Sequence, residues 1–232
     1  MISIFYGKTV CGRFVARPNR FIAIAEINGR RETVHVKNTG RCKELLTDGA
    51  KIILEAFPED SPRKTKFDLI AVYMGDMLIN MDSQSPNKAA AEFIPKLFDN
   101  VSLIKPETRF GDSRFDFYIE AEGRKIFMEV KGCTLESDGV CRFPDAPTER
   151  GVKHVNELVK CIEAGYEAYI FFVIQMNRAK YFTPNYDTHP QFGEALKAAS
   201  DKGVKVIAYT CTVTENSMEI ALPVEIKLNG EY

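Results

Sequence analysis

The sequence has no apolar run long enough to cross a membrane. The longest one, from Ala168 to Ile174, falls far short of the ~20 residues that span a bilayer. The N-terminus carries no basic leader followed by an apolar stretch and a small-residue cleavage pattern. These absences exclude a membrane-spanning helix and lead us to expect a cytoplasmic protein.

Motifs of several common protein classes are also missing. Six cysteines occur without a Cys-x-x-Cys pair, which argues against a zinc knuckle and a secreted disulfide framework. Cys133, Cys141 and His154 could contribute to a metal site, but a fourth ligand at suitable spacing is lacking. No GxGxxG, Walker loop or serine nucleophile elbow occurs, which disfavours the enzymes built on those motifs.

What the chain does contain is a core-forming composition and an uneven distribution of charge. Hydrophobic residues make up 45% of it, enough for a sizeable core. Residues 1–66 hold 13 Lys and Arg against 7 Asp and Glu, whereas residues 81–232 hold 18 against 23. A basic part can bind phosphates by displacing counterions, and an acidic part can gather carboxylates around a metal ion. A solvated basic face is an equally simple explanation.

The first 80 residues show the pattern of a small barrel. Asn28-Gly29 predicts a hairpin turn between the second and third of five short strands, and a helical turn is predicted at Arg41–Leu46. This order is that of a five-stranded Greek-key OB barrel, which often binds nucleic-acid strands. The predicted strands are Arg13–Ala16, Phe21–Glu26, Glu32–Val36, Lys51–Phe57 and Leu69–Met74.

The rest of the chain alternates helices with strands. A helix starts at Ser85-Pro86 and is expected to end at Pro95, and a second opens after Thr148. The continuous apolar run Ala168–Ile174 predicts a strand buried on both faces. We therefore predict an α/β protein, α+β overall, with an OB-like nucleic-acid-binding domain at residues 1–80 and a mixed-sheet domain at 81–232. The last predicted elements are a helix at Gly193–Ser200 and strands at Val204–Tyr209 and Glu219–Ile226.

The segment from Arg114 to Lys131 predicts a β-hairpin whose register follows from its pattern. If Glu122-Gly123 forms the turn, the apolar residues of both strands share one face. A slip by one residue would move them to the polar face, so the turn and the hydrophobic pattern select the same register. The predicted apolar pairs are Ile119 with Ile126, Phe117 with Met128 and Phe115 with Val130.

The opposite face of this hairpin brings Asp116 beside Glu129, with Lys131 on the same side. Two facing carboxylates repel each other unless a cation lies between them. Mg²⁺ favours one or two carboxylates together with waters and phosphate oxygens, and Mn²⁺ accepts similar ligands. A metal-bound water assisted by Lys131 could then hydrolyse a phosphodiester. The alternative, in which Arg114 and Lys131 neutralise two solvated carboxylates, stays open on spacing alone.

An Asp, then a strand ending in Glu-x-Lys, before a helix with polar residues, resembles the PD-(D/E)XK nuclease superfamily. Phe115 replaces the usual Pro, an element that varies. The resemblance implies that Asp116 and Glu129 ligate the metal and that Lys131 is the catalytic lysine. Glu92, on the preceding helix, matches the upstream acidic position that often completes such a metal site.

A longer motif, from Arg142 to His154, is similar to the FPDA-x-T-x-RG-x-KH signature of the sugar fermentation stimulation protein A (SfsA) family. Asn19-Arg20-Phe21 and Asn38-Thr39-Gly40-Arg41 match its N-terminal motifs, so the resemblance covers nearly the whole chain. It implies an OB-like domain joined to a PD-(D/E)XK nuclease-like domain, with DNA binding as the activity. The family name also records a genetic link to sugar (maltose) utilisation.

We expect DNA, single- or double-stranded, to contact both domains. Barrel arginines would contact phosphates, and a nearby phenylalanine would stack on bases. On the second domain, the polar face and N-terminus of the helix after Thr148 could receive a phosphate. For each barrel arginine a structural salt bridge is an equal alternative. The candidates are Arg17, Arg20, Phe21 and Arg41 in the barrel, and Arg150, Lys153 and His154 on the helix.

Two functions follow from these patterns. The first is a DNA-binding protein with a nuclease site that uses Mg²⁺ or Mn²⁺ and has no strong sequence preference. The second is a DNA-binding regulatory protein that has kept the nuclease shape but is catalytically silent. A small-molecule enzyme of sugar metabolism is suggested only by the family name. Whether the protein is a homodimer is left open.

Overall fold

The N-terminal part of the molecule is a closed barrel; the structure, a computed structural model, describes residues 4–38 and 40–230. Its strands after β1 (Ile4–Phe5) are β2 (Thr9–Asn19), β3 (Ile22–Ile27), β4 (Arg30–Val36), β5 (Lys51–Ala56), β6 (Phe67–Met74) and β7 (Met77–Asn80). They form a sheet in the order β4-β3-β2-β5-β6-β7, and a parallel pairing of β4 with β6 closes five of them into a barrel. The predicted OB-like barrel is confirmed.

The turns of the barrel follow from its sequence. Asn28 and Gly29 adopt φ angles of 51° and 75°, as the two-residue turn between β3 and β4 requires. The predicted helical turn at Arg41–Leu46 is one turn long, and in it the Leu46 N–H donates to Cys42 O. Thr39, part of the Asn38-Thr39-Gly40-Arg41 motif, lies outside the described residues.

The rest of the chain forms a large mixed sheet and a small one. The large sheet has the order β1-β16-β15-β13-β10-β9-β8, in which β10, β13 and β15 are parallel. The small sheet has the order β11-β12-β14-β17. The strands are β8 (Val101–Phe110), β9 (Ser113–Ala121), β10 (Arg124–Cys133), β11 (Leu135–Ser137), β12 (Val140–Phe143), β13 (Glu167–Ile174), β14 (Tyr181–Pro184), β15 (Lys205–Val213), β16 (Ser217–Pro223) and β17 (Glu225–Ile226).

Helices cover both faces of the large sheet. α1 (Ser85–Leu97) packs on one face, and α2 (Glu149–Glu163) and α3 (Pro190–Asp201) pack on the other. Strand β13 is buried on both sides, as predicted: Ile170 and Phe172 lie in the core beneath α2, and Phe171 and Val173 in the core beneath α1. In the described part of the chain, no helix has both the length and the apolar character needed to cross a membrane.

Two predicted element ends differ from the structure. α1 contains Pro95 and continues to Leu97, although we expected Pro95 to end it. The proline lies in the last turn, where its missing N–H removes a single hydrogen bond, and the fully buried Ile94 holds this turn against the sheet. The predicted strand Glu219–Ile226 is divided, because β16 ends at Pro223 and β17 joins the small sheet.

Helix α2 begins where the sequence predicts. Thr148 caps it, with its Oγ1 accepting a hydrogen bond from the Gly151 N–H at 3.1 Å. His154, expected on the polar face of this helix, is only 6% exposed, and so is Glu157. The hairpin of β8 and β9 covers this part of the helix, with the Phe115 ring packed against the imidazole of His154. The polar face of α2 is therefore narrower than predicted.

A buried polar network joins the barrel to the large sheet. Gln175, just after β13, donates from its Nε2 to Asn80 O and Asp82 O at 3.1 and 3.2 Å. On the barrel side, Lys37 Nζ lies 3.1 Å from Asp82 Oδ2 and 3.3 Å from Asp68 Oδ2. The segment between β7 and α1 is thus held from both sides, which fixes the barrel against the large sheet.

Candidate functional site

The hairpin of β9 and β10 positions the candidate site. The pairing observed between these strands is that predicted for Ile119 with Ile126 and Phe117 with Met128. Glu122 and Gly123 form the turn, both with positive φ. The hydrophobic alternation and the two-residue turn therefore specify this register from sequence alone.

Beyond Phe117 the two strands separate, and Asp116 lies at the point of separation. Its Oδ2 accepts a hydrogen bond from the Val130 N–H at 2.7 Å, and its Oδ1 accepts one from Asn87 Nδ2 of α1 at 2.7 Å. The prediction that Phe115 shares a face with Phe117 is wrong. Phe115 packs under α2, whereas Phe117 belongs to the core under α1. The alternation is lost because the Asp116 carboxylate occupies the N–H that the ladder would otherwise use.

Glu129 is the most enclosed residue of the site, with only 2% of its surface exposed. Its Oε1 accepts from Lys131 Nζ at 2.5 Å and also contacts His154 Nδ1. Arg150 Nε donates to His154 Nε2 at 3.4 Å. Since Nε2 accepts from Arg150, the N–H is at Nδ1, which donates a hydrogen bond to Oε1 of Glu129. The other carboxylate oxygen, Oε2, is buried and has no hydrogen-bond partner among the described residues.

The two carboxylates have opposite pKa shifts. Burial, and then the charge of Glu129, raise the pKa of Asp116 to about 6. Burial also acts to raise the pKa of Glu129, but the hydrogen bond from His154 and the charge of Lys131 outweigh it and lower the pKa below its ordinary value. Glu129 is therefore the carboxylate that the chain itself stabilises, whereas at Asp116 the charge of Lys131 does not offset burial and the charge of Glu129.

This donor set fits a hard divalent cation. The unpartnered Oε2 of Glu129 and the repelled carboxylate of Asp116 are both relieved by a positive charge between them. Among the described residues, no three His, Cys, Asp or Glu side chains gather as a complete protein cage. Two carboxylates completed by waters and phosphate oxygens are the usual surroundings of Mg²⁺.

Glu92, predicted to complete the metal site, lies on another side of α1 from Asn87, and its Oε2 is also buried without a hydrogen-bond partner among the described residues. It lines a very small cavity with Lys96, Met218 and Glu219, on the side of α1 that faces β16. The α1 residue that reaches Asp116 is Asn87, which the sequence analysis did not single out. Asn87 and Glu92 are five residues apart on a helix of 3.6 residues per turn, so their side chains point in different directions.

The sulfur groups near the site are separate from it. Cys133 Sγ donates to Arg142 O at 3.2 Å, and Cys141 Sγ contacts Met176 Sδ at 3.9 Å. His154 instead binds Glu129, so these cysteines and the histidine do not form a joint metal site.

The barrel candidates gather around one loop. Arg17 donates from its guanidinium to the carbonyl oxygens of Asn38, Gly40, Arg41 and Arg20 at 2.5–2.9 Å. These bonds give Arg17 a structural role in place of the predicted phosphate contact. Its partners Arg20 and Arg41 are exposed, as is the neighbouring ring of Phe21 at 52%.

The candidate DNA-binding residues on α2 also differ in exposure. Arg150 and Lys153 are exposed at the start of α2, and Lys153 Nζ donates to Asp112 O at 3.3 Å. His154 is buried against Glu129, so a direct DNA contact by His154 is not supported. Its place is within the carboxylate site.

A cleft of about 330 Å³ lies between Asn38 and Gly40 of the barrel and the end of β10. Asn38 and Gly40 line it from the barrel, and Gly132 and Thr134 line it from the end of β10, directly after Lys131. The signature segment Arg142–Thr148 forms its remaining wall. Sequence patterns placed this segment before a helix but gave no sign that it faces the barrel.

Comparisons with known proteins agree on one family. The SfsA N-terminal OB domain model matches residues 15–81, and the sugar fermentation stimulation protein RE domain model matches residues 84–217. A sugar fermentation stimulation protein homolog of Clostridium beijerinckii is 53% identical over 226 residues, covering 96% of this chain and 99% of the relative. One from Desulfitobacterium hafniense (strain Y51) is 56% identical over 218 residues, covering 94% and 95%.

A solved structure resembles the whole fold. Pyrococcus furiosus SfsA in complex with Ca²⁺ superposes with a TM-score of 0.85 at 26% identity, over 98% of this chain and 100% of that one. This superposition and the match to the OB domain model agree with the barrel and mixed sheet described above. The chain therefore belongs to the sugar fermentation stimulation protein (SfsA) family.

Proposed function

We propose that this protein is a cytoplasmic DNA-binding nuclease that hydrolyses phosphodiester bonds, without strong sequence preference, at a Mg²⁺ or Mn²⁺ ion between Asp116 and Glu129. The observation that carries the proposal is the buried, unpartnered Oε2 of Glu129 beside a carboxylate whose pKa is raised to about 6. Structural carboxylates are normally satisfied by their own chain. A buried oxygen without a partner, next to a repelled acid, is arranged for a cation.

Each residue around the pair has a separate task. A bound divalent cation would supply a water of lowered pKa and would polarise the phosphate. Lys131, with Nζ at 2.5 Å from Glu129, offers positive charge to the oxygens that become more negative during the reaction. His154 donates to Oε1 of Glu129, and Arg150 holds His154 from its other nitrogen. This chain of hydrogen bonds orients the carboxylate and leaves Oε2 available.

The exposed barrel arginines lie near the cleft, which is consistent with access of DNA to the carboxylate site. Arg41 directly follows Gly40, which lines the cleft, and Lys131 directly precedes Gly132, which lines it from the other side. Arg20 and Arg41 could hold phosphates while the exposed ring of Phe21 stacks on a base. A strand bound to the barrel would then continue through the cleft toward Glu129.

The relatives support the metal part of the proposal. Pyrococcus furiosus SfsA is described as a complex with Ca²⁺. Ca²⁺ and Mg²⁺ both prefer oxygen ligands, which is the donor type that Asp116 and Glu129 provide. The match to the RE domain model, over residues 84–217, includes both of these carboxylates.

The test is nicking of supercoiled plasmid with Mg²⁺, with Mn²⁺ and with a chelator. Glu129→Gln should abolish metal-dependent nicking because it removes one of the two negative ligands. The matched control is Glu122→Gln, at the exposed hairpin turn, which should nick like the wild type. Equal nicking by Glu129→Gln would assign the activity to a contaminant.

DNA affinity should be measured on the same variants. If the wild type binds DNA but fails to nick with either ion, the alternative function holds: a catalytically silent DNA-binding regulator linked to sugar (maltose) metabolism. If affinity does not fall with salt, neither DNA function holds, since phosphate contacts release counterions.

A further inference from the structure

The tip of the hairpin between β8 and β9 forms a second polar cavity. It measures about 260 Å³ and is lined by Arg109, Gly111, Asp112, Ser113 and Arg114. Arg109 and Arg114 are direct cross-strand partners, and both are exposed. Like charges in facing positions destabilise a strand pair. An anion between the two guanidinium groups would remove that penalty.

Ser113 gives the cavity a second feature of an anion site. Its side chain is only 5% exposed, and its Oγ is buried without a hydrogen-bond partner among the described residues. Most buried hydroxyl groups are hydrogen-bonded, so this donor lacks an acceptor that a ligand can supply. A phosphate oxygen is such an acceptor, and the two arginines that line the same cavity favour a negative charge.

The carboxylate that pairs with Arg114 would compete only weakly with a bound anion. Arg114 Nε lies 2.7 Å from Glu107 Oε2, but both side chains are more than half exposed. Such surface pairs are easily exchanged for another anion. Asp112 is the single carboxylate in the cavity lining, and its negative charge acts against an anion there, whereas the two arginines attract one.

The cavity lies at a defined distance from the carboxylate site. Ser113 precedes Asp116 by three residues on β9, and a strand rises by about 3.3 Å per residue, which gives a separation of ~10 Å. One DNA strand advances 3.4 Å per nucleotide along the duplex axis, so this separation corresponds to about three nucleotides. Lys153 of α2 links the cavity to the carboxylate site. Its Nζ binds the backbone oxygen of Asp112, and it lies about one helical turn after Arg150, which contacts His154.

We propose that Arg109, Ser113 and Arg114 form a subsite for a DNA backbone phosphate, about three nucleotides from the bond that is cleaved. The arginines hold the phosphate oxygens by charge and paired N–H groups, and Ser113 donates one further hydrogen bond. The subsite sets the register of the DNA on the carboxylate site. It rests on the proposed function, because that function supplies the DNA.

The experiment measures fluorescence anisotropy of a short labelled DNA duplex, in chelator so that no cleavage occurs, over a range of salt concentrations. The double variant Arg109→Gln/Arg114→Gln should bind about tenfold more weakly. Its slope of log affinity against log salt should be smaller by about 1, the value for one lost phosphate contact. Ser113→Ala should also weaken DNA binding, but by a smaller factor. The control is Arg124→Gln, near the turn at the opposite end of β9 and β10, and it should bind like the wild type.

Wild-type affinity and salt slope in the double variant would overturn the subsite, and so would an equal loss in Arg124→Gln. If the wild type nicks plasmid with Mg²⁺ while the double variant binds normally, the proposed function stands and the subsite fails. If the double variant shows the smaller slope while the wild type never nicks, the subsite stands and the nuclease function fails. A wild type without DNA affinity overturns both.

Discussion

Two groups of buried carboxylates in this protein use the same residue types in different ways. In the barrel, Asp68 is 1% exposed and contacts Lys37, Arg63 and His35, while Asp82 is 2% exposed and contacts the same Lys37. The chain thus supplies cations to both of these acids. This group holds the barrel to the segment that leads into α1.

In the large sheet the balance is incomplete. Lys131 and His154 share one oxygen of Glu129, the other oxygen has no partner among the described residues, and the pKa of Asp116 is raised. Burial alone therefore does not identify a functional acid. The informative feature is the pairing of a carboxylate oxygen that has no partner with a second carboxylate whose pKa is raised by its neighbour.

Among the variants that compare the two groups of carboxylates, the largest effect is expected from Lys131→Met. Losing its positive charge next to the reacting phosphate should reduce metal-dependent nicking by about 10²–10³-fold, the range for removing one preorganised stabilising group. Lys125→Met, on the exposed end of the same strand, is the matched control and should nick normally. Rates on plasmid at saturating Mg²⁺ give the comparison. Equal losses in both variants would mean that general charge, not the carboxylate site, matters.

Removing the lysine that compensates the buried barrel carboxylates should lower the stability of the protein. Lys37→Met leaves Asp82 and Asp68 buried with less compensation, and we expect a loss of ~3 kcal/mol in the free energy of unfolding. Lys66→Met removes an exposed ion pair with Glu59 and should change it by less than ~0.5 kcal/mol. Urea unfolding measures both. Similar small effects would show that the barrel group is not a stabilising network.

Neutralising one acid in each group should change stability in opposite directions. Since the pKa of Asp116 rises from 3.8 to about 6 on folding, the metal-free protein loses stability as pH rises from 4 through 6. At 1.36 kcal/mol per pKa unit, Asp116→Asn should be more stable than the wild type by roughly 3 kcal/mol at pH 7, with little gain at pH 4. Asp68→Asn should destabilise, because it weakens paired charges. The measurement is the free energy of unfolding of chelator-treated wild type and variants at several pH values. Parallel pH profiles for Asp116→Asn and the wild type would contradict it.

The smallest effects separate two residues of α1. Asn87→Ala removes the hydrogen bond that orients Asp116 and should weaken metal affinity by about tenfold, the lower end for groups that orient a ligand. Glu92→Gln should leave metal affinity within about twofold of the wild type, because Glu92 lies beside Glu219 and not at the site. Mn²⁺ titration by calorimetry compares them. A larger loss in Glu92→Gln would restore the sequence-based assignment.

The sequence predicted those parts of the site that depend on periodicity. The register of β9 and β10 follows from alternating apolar residues and a two-residue turn, both local features. The position of Phe115 could not be predicted, because a side-chain bond from Asp116 to the Val130 N–H interrupts the ladder. Periodicity contains no information about such bonds.

Other features were missed for different reasons. β8 is an edge strand whose residues are mostly exposed and polar, so it lacks the alternation that marks a half-buried strand. The role of Asn87 depends on how α1 is rotated against the sheet, which its sequence does not specify. The barrel network around Lys37 joins residues that are far apart in the chain, and no short motif connects them.

The most direct test of a cation between Asp116 and Glu129 is anomalous scattering from a crystal grown with Mn²⁺. We predict one peak at about 2 Å from an oxygen of each carboxylate, including Oε2 of Glu129, and its loss in Glu129→Gln. A crystal without a peak between these side chains, or one in which Glu129→Gln retains it, would contradict the proposed metal site.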